Sequence, residues 1–153
     1  MEAMKIMLVD DEERFLSTTQ KLLTKKGIDV VTAASGAEAL ETLNHKYIHV
    51  VILDVKMPGM DGNETLKKIK RQFPLVEVIM LTGHATVESA IDGLKSGATD
   101  YLMKPTEIDD LIAKAREAFQ KRLLLEEKIH MAQSRRCMKS PREILKQSEK
   151  PER

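Results

Sequence analysis

One cysteine, no tryptophan and few aromatics narrow the options for this 153-residue chain before any motif is read. Cys137 alone excludes an internal disulfide framework and a cysteine-rich zinc site, and it fits a reducing cytoplasm. Aromatics make up only 3% of the residues, so a base-stacking surface for nucleic acid is not expected. No apolar run approaches the roughly 20 residues that span a bilayer. Met1-Glu2-Ala3-Met4-Lys5 opens no signal-peptide pattern, because its apolar stretch is short and ends in acids. A dominant charge is missing too. The formal net charge of +1 hides a body, residues 1–133, at −3 and a tail, 134–153, at +4. A mildly acidic body argues against direct nucleic-acid binding. The basic tail reads as a solvated end.

What is present is a globular composition, 42% hydrophobic and 32% charged. Apolar runs at 5–9, 28–33, 50–53, 77–81 and 100–103 alternate with amphipathic stretches at 12–26, 36–45, 62–72, 86–95 and 107 onward. Such alternation predicts parallel strands joined by right-handed helical crossovers. The punctuation agrees. Gly27 follows Lys25-Lys26 as a helix stop, and Ser35 with Glu38 has capping-box spacing, with Thr106 and Asp109 a looser version. Gly97 can end the fourth helix, and Pro58-Gly59 and Gly62 mark a loop. The last helix is too long for the body. Positions 108, 112, 115 and 119 can face the sheet, and a second stripe, Leu111, Ala118, Leu125 and Ala132, repeats every seven residues. That stripe offers either a helix-pairing seam, weakened by Arg122, or a solvated extension. The expected organisation is a domain over 1–122, a helical extension over 123–133 and a flexible basic tail over 134–153.

The chemistry gathers at the strand ends. Val50-Val51-Ile52-Leu53 is apolar enough to be buried on both faces, and it ends in Asp54. Open α/β sheets place ligands at the carboxyl ends of their strands. The first strand ends in Asp10-Asp11, the fourth in Thr82 and the fifth in Lys104. Three acids, a hydroxyl and an amine at one edge suit a divalent cation and a phosphoryl group. Close carboxylates repel one another, and a hard cation such as Mg²⁺ relieves this. A carboxylate oxygen can attack phosphorus, and the group in transfer needs positive charge around its oxygens. Taken singly, each residue has a plain structural explanation. Acids favour a helix start, a threonine often ends a strand, and a lysine before proline can be a loop residue. The combination is what points to a site.

These residues resemble the receiver domain of two-component response regulators. The matching pieces are Ile6-Met7-Leu8-Val9-Asp10-Asp11-Glu12, Ile52-Leu53-Asp54-Val55-Lys56-Met57-Pro58-Gly59-Met60-Asp61-Gly62, Leu81-Thr82-Gly83-His84, and Gly97-Ala98-Thr99-Asp100-Tyr101-Leu102-Met103-Lys104-Pro105. The resemblance covers about residues 4–122. It implies a doubly wound, flavodoxin-like α/β fold with a five-stranded parallel sheet in the order 2-1-3-4-5. It implies Asp54 as phosphoacceptor, with Mg²⁺ held by Asp11, Asp54 and the Lys56 backbone carbonyl, and by Asp10 through water. Thr82 and Lys104 would contact the phosphoryl oxygens, and Tyr101 would follow Thr82 between two states. The Lys104-Pro105 bond is expected cis. The implied partner is a sensor histidine kinase or phosphotransfer protein, in the cytoplasm. The domain would be a phosphoacceptor switch, not a turnover enzyme, that assists its own phosphoryl transfer and slow autodephosphorylation.

Lys56 and His84 are candidate modulators of phosphoryl lifetime. His45, His49 and His130 lack metal-ligand spacing and read as surface residues. Met57 and Met60 are candidates for a partner surface beside the acceptor loop. A homodimer could form through the fourth-helix, fifth-strand and fifth-helix face, or through the extended helix. Two other classes fit less well. A phosphatase of the haloacid-dehalogenase type wants an acid two residues after its nucleophile, where Lys56 stands. A nucleotide-binding domain wants a glycine-rich loop where Asp10-Asp11-Glu12-Glu13 stands. The wording Leu81-Thr82-Gly83-His84-Ala85-Thr86-Val87-Glu88 resembles receivers of the nitrogen-regulator group, whose final helix leads to an ATPase domain.

Overall fold

Five apolar runs become five strands in the computed structural model, which describes residues 3–83 and 87–137. In chain order they are β1 (Lys5–Val9), β2 (Asp29–Ala33), β3 (Val50–Leu53), β4 (Glu77–Thr82) and β5 (Asp100–Met103). The helices between and after them are α1 (Glu13–Lys25), α2 (Gly36–His45), α3 (Gly62–Gln72), α4 (Val87–Lys95) and α5 (Ile108–Cys137). The sheet is parallel throughout, in the order β2-β1-β3-β4-β5. Every residue of β3 and β4 is buried. A parallel sheet covered on both faces requires that, and it explains why these runs do not alternate. Met7, Val9, Val51, Leu53, Val78 and Met80 form one core cluster with Leu66 and Ile69 of α3.

Local signals account for the element ends. Ser35 caps α2 by accepting the Glu38 N–H, and the Glu38 carboxylate takes the Ala34 N–H. Gly27 turns the chain out of α1 with φ +80°. The Lys104–Pro105 peptide is cis. The Asp61 side chain caps α3 by accepting the Glu64 N–H, a cap the sequence reading misses.

Two compact units divide the chain, Met1–Arg122 and Leu123–Arg153. α5 runs four residues beyond the expected limit of the extension, and the rest of the expected basic tail, 138–153, lies outside the described residues. The buried stripe of α5 is Leu111, Ala115, Ala118, Phe119 and Arg122. This corrects the expected seam, because Leu111 and Ala118 face inward and only Leu125 of its larger members is exposed. Arg122 is buried as well. It donates to the Ile48 carbonyl at 2.7 Å, and its guanidinium lies 4.8 Å from the Tyr47 ring centroid. His49 is another correction. It is 0% exposed, accepts the Lys5 N–H at 3.1 Å and packs edge-on against Tyr47 and Phe119. His45 and His130 are at the surface as expected.

α2 and α3 pack through a glycine. A Cβ at Gly36 would overlap Thr65 Oγ1 and come within 3.2 Å of Met60 Sδ. Gly36→Ala is therefore expected to lower the unfolding free energy by about 1–3 kcal/mol. Urea titration of Gly36→Ala, Thr65→Ala and the double variant checks this. Losses smaller than additive are expected, and strictly additive losses would contradict the contact.

Candidate functional site

Register carries the candidate residues to one place. Val9 pairs with Leu53, Leu53 with Met80, and Thr82 with Met103. Asp10, Asp54 and Lys104 each follow their strand by one residue, and Thr82 closes β4. The ladder continues into these ends, with Asp54 N–H donating to Val9 O and Lys104 N–H to Thr82 O, both at 2.9 Å. The side chains therefore start from fixed backbone, not from loose loops.

Asp10, Asp11 and Asp54 each bring a carboxylate oxygen within 4.8 Å of the others. Asp11 is exposed, whereas Asp10 is 1% and Asp54 5% exposed. Both Asp10 oxygens are engaged. Oδ1 accepts the Glu12 N–H at 2.9 Å, and Oδ2 accepts the Lys104 ammonium at 2.5 Å. The same ammonium lies 3.5 Å from Glu12 Oε1 and 4.0 Å from the Phe15 ring centroid. Asp54 Oδ1 is buried, with no hydrogen-bond donor among the described residues.

Burial pushes the Asp54 carboxyl above its ordinary pKa, and the Asp10 charge adds to the rise. A hydrogen bond from Thr82, the charge of Lys104 and the Val55 N–H oppose it without cancelling it. For Lys104, burial favours the neutral amine. The Asp10 hydrogen bond and the charges of Asp10, Asp54 and Glu12 outweigh this and raise its pKa. The ammonium stays charged at any physiological pH.

A buried carboxylate oxygen without a donor, beside two further acids, is the donor set of a hard divalent cation, and Mg²⁺ fits it. With both Asp10 oxygens already occupied, Asp11 and Asp54 are the direct carboxylate ligands such an ion would find. Thr82 is fully buried against Asp54. Tyr101 is half-buried, its hydroxyl 3.1 Å from Ser89 Oγ on α4. Lys56 is exposed just after β3, and His84 lies outside the described residues. Met57 is buried in the core, which corrects its reading as partner surface, and Met60 is half-buried.

Two residues matter here that sequence reasoning undervalues. A Cβ at Gly62 would collide with the Asp54 carbonyl and approach Val55 Cα to 2.6 Å. The Gly62 N–H donates to Val55 O at 2.7 Å, folding loop 55–61 back onto the end of β3. In the sequence Gly62 is only loop punctuation. Phe15 reads as one apolar position of an amphipathic helix, with nothing to tie it to a lysine far along the chain.

Known proteins with this arrangement are numerous. The pattern of the response regulator receiver domain matches residues 6–116. The chain is 41% identical over 113 residues to the transcriptional regulatory protein ZraR of Escherichia coli O157:H7, covering 74% of this chain and 26% of ZraR. It is 38% identical over 108 residues to the DNA-binding transcriptional regulator NtrC of Escherichia coli K12, covering 71% and 23%. The chain thus spans about a quarter of the length of these curated relatives. Among solved structures, a response regulator receiver domain protein from Clostridium thermocellum superposes with a TM-score of 0.75 at 40% identity, covering 80% of this chain and 98% of that one. NtrX from Brucella abortus gives 0.79 at 32% identity, covering 85% and 30%.

Burial of Asp54 carries a stability cost. Asp54→Asn is expected to raise the thermal midpoint in metal-free buffer near neutral pH, because it removes a buried charge with an unpartnered oxygen. The folded pKa lies above the ordinary value of 3.8. Stability from this group is therefore full below the unfolded pKa and lost as pH rises through the folded one. The gap between wild-type and variant midpoints should widen as pH rises above about 4. A gap that stays constant across the acid range would contradict the assignment.

Proposed function

The chain belongs to the response regulator receiver domain family of two-component systems, and we propose that it is a phosphorylation switch whose acceptor is Asp54. The observation that carries this reading is the cup itself: three carboxylates within 4.8 Å of one another, with a lysine on one and a threonine on another.

On this reading an Asp54 oxygen attacks the phosphorus of a kinase phosphohistidine, or of a small acyl phosphate. The new P–O bond forms as the bond to the donor nitrogen, or to the donor acyl oxygen, breaks. The product is an acyl phosphate on Asp54; a phosphohistidine donor protonated on its second ring nitrogen departs as neutral imidazole, and an acyl phosphate donor departs as its carboxylate. Asp11, Asp54 and the Lys56 backbone carbonyl would hold Mg²⁺, with Asp10 supporting it through water. The ion would supply positive charge to the phosphoryl oxygens and relieve the repulsion among the acids. Lys104 supplies the second positive charge by leaving Asp10 for a phosphoryl oxygen. Thr82, already on the acceptor carboxyl, donates its hydroxyl to the phosphoryl group instead. Burial keeps water from the acyl phosphate, and slow hydrolysis at the site resets the switch.

Phosphorylation adds about two negative charges and three acceptor oxygens. These draw Thr82 inward and leave room for Tyr101 to exchange its Ser89 contact for a more buried position. The α4–β5 surface, with Ile91, Leu94 and Met103 exposed, would repack with it. The partners on this reading, met in the cytoplasm, are a sensor histidine kinase or phosphotransfer protein, and an output partner or attached domain. The length of ZraR and NtrC beyond the matched region supports an attached one. The exposed Leu124, Leu125, Ile129 and Met131 of α5 offer an alternative dimer contact.

Incubation with radiolabelled acetyl phosphate and Mg²⁺ tests the acceptor. Labelling is expected in the native chain. It should be lost in Asp54→Asn and on chelation with EDTA, and undiminished labelling of Asp54→Asn would end the assignment. Light scattering on a sizing column, with and without beryllofluoride and Mg²⁺, tests the output surface. A monomer that becomes a dimer supports the α4–β5 face. A dimer in both conditions points to α5, and a monomer in both removes self-association from the proposal.

A further inference from the structure

We propose that Phe15 is a positioning residue for Lys104: its ring holds the ammonium on the Asp10 side of the site until a phosphoryl group draws it across. The inference rests on the reading of Asp54 as acceptor, and it adds a residue that the strand-end chemistry does not contain.

A lysine ammonium is a compact charge on a flexible four-carbon stem, so ordering it carries an entropic cost. Asp10 alone gives it a partner but leaves its direction open. The chain adds two more walls. Glu12 Oε1 stands 3.5 Å away on the turn after β1, and the face of Phe15 stands 4.0 Å away on the first turn of α1. Asp10, Glu12 and Phe15 all come from one strand-turn-helix segment. Lys104 comes from the far end of the sheet, 94 residues on from Asp10. Of the three, Glu12 is mostly exposed and its ion pair is screened by water. Asp10 is the strong partner but also faces the three-acid cup. Phe15 is the wall that adds no charge to that cup. A ring face attracts the ammonium through its quadrupole and excludes water from one side of it. The lysine then waits ordered and charged, within the electrostatic reach of Asp54. It reaches the phosphoryl group by a short swing and needs no search through solvent.

Resting-state order and chemistry can be measured separately on the full chain. With ¹⁵N-lysine labelling, the Lys104 ammonium should give a water-protected resonance, identified by its absence in Lys104→Met. Lys70 is an internal reference. Its ammonium donates to the Pro74 and Val76 carbonyls at 3.0 and 2.9 Å, at the opposite edge of the sheet. Phe15→Leu is expected to broaden the Lys104 resonance and leave that of Lys70 intact. It should also slow acetyl-phosphate labelling of Asp54 by about fivefold. Phe15→Tyr keeps a ring face and should restore both, with labelling within about twofold of native. The proposal is overturned if Phe15→Leu leaves the Lys104 resonance unchanged, if labelling is unaffected, or if Phe15→Tyr fails to rescue. Should Phe15→Leu unfold the chain, seen as joint loss of the Lys70 resonance, Phe15→Met makes the same comparison. If the native chain does not label at all, the acceptor reading fails. The ammonium resonances still decide whether Phe15 holds Lys104.

Discussion

Electrostatic repulsion among Asp10, Asp11 and Asp54 is the constraint on which the rest of this molecule turns. Folding brings three acids together at a strand edge where two of them are almost out of water. Nothing in the core favours that arrangement, and each acid would be better solvated in the unfolded chain. The structure manages the conflict in three ways. The Lys104 ammonium neutralises Asp10, hydrogen bonds reach Asp54 from Thr82 and Val55, and Asp11 is left in water. One oxygen of Asp54 has no hydrogen-bond partner among the described residues. A buried acid left in this state favours any positive charge brought beside it.

The sheet is what makes this tolerable. Four of its five strands contribute an end residue to the cup or to its lysine. The fully buried β3 and β4 fix the positions of Asp54 and Thr82. α3 adds a close approach at Gly62 that pins the loop after Asp54. The energy that holds the site in its strained charge state therefore comes from apolar burial well away from the charges. The site's own contacts, the Lys104–Asp10 pair and the hydrogen bonds to Asp54, offset only part of the repulsion.

Much of this was legible in the sequence. Non-alternating apolar runs separated by amphipathic stretches predict a parallel sheet, and all ten elements lie where those runs place them. Chemically distinct residues at successive strand ends predict the location of the cup. The misses share a physical cause: each depends on what a residue meets across the fold. His49 is polar by type, yet two aromatic rings and a backbone amide make a buried place for it. Leu111 and Ala118 fit a seven-residue repeat. The true inward stripe of α5 continues to Arg122, whose guanidinium finds the Ile48 carbonyl and the Tyr47 ring. Met57 sits in the loop after Asp54, which folds inward. The tie between Phe15 and Lys104 crosses the whole domain, so no local pattern announces it.

The in-register pairing of β1, β3, β4 and β5 has a further consequence for how this chain can vary. Side chains in a strand alternate between faces, so inserting or deleting one residue within a strand would rotate its terminal group to the opposite side of the sheet. A shift in β4 would remove the Thr82 hydroxyl from Asp54, and one in β3 would displace the acid itself. The opposite rim, where Lys46-Tyr47-Ile48 and Phe73-Pro74-Leu75 lead into their strands, bears none of these groups. Length polymorphism among descendants of this sequence should therefore collect along that rim and spare the strands, whatever their side chains become.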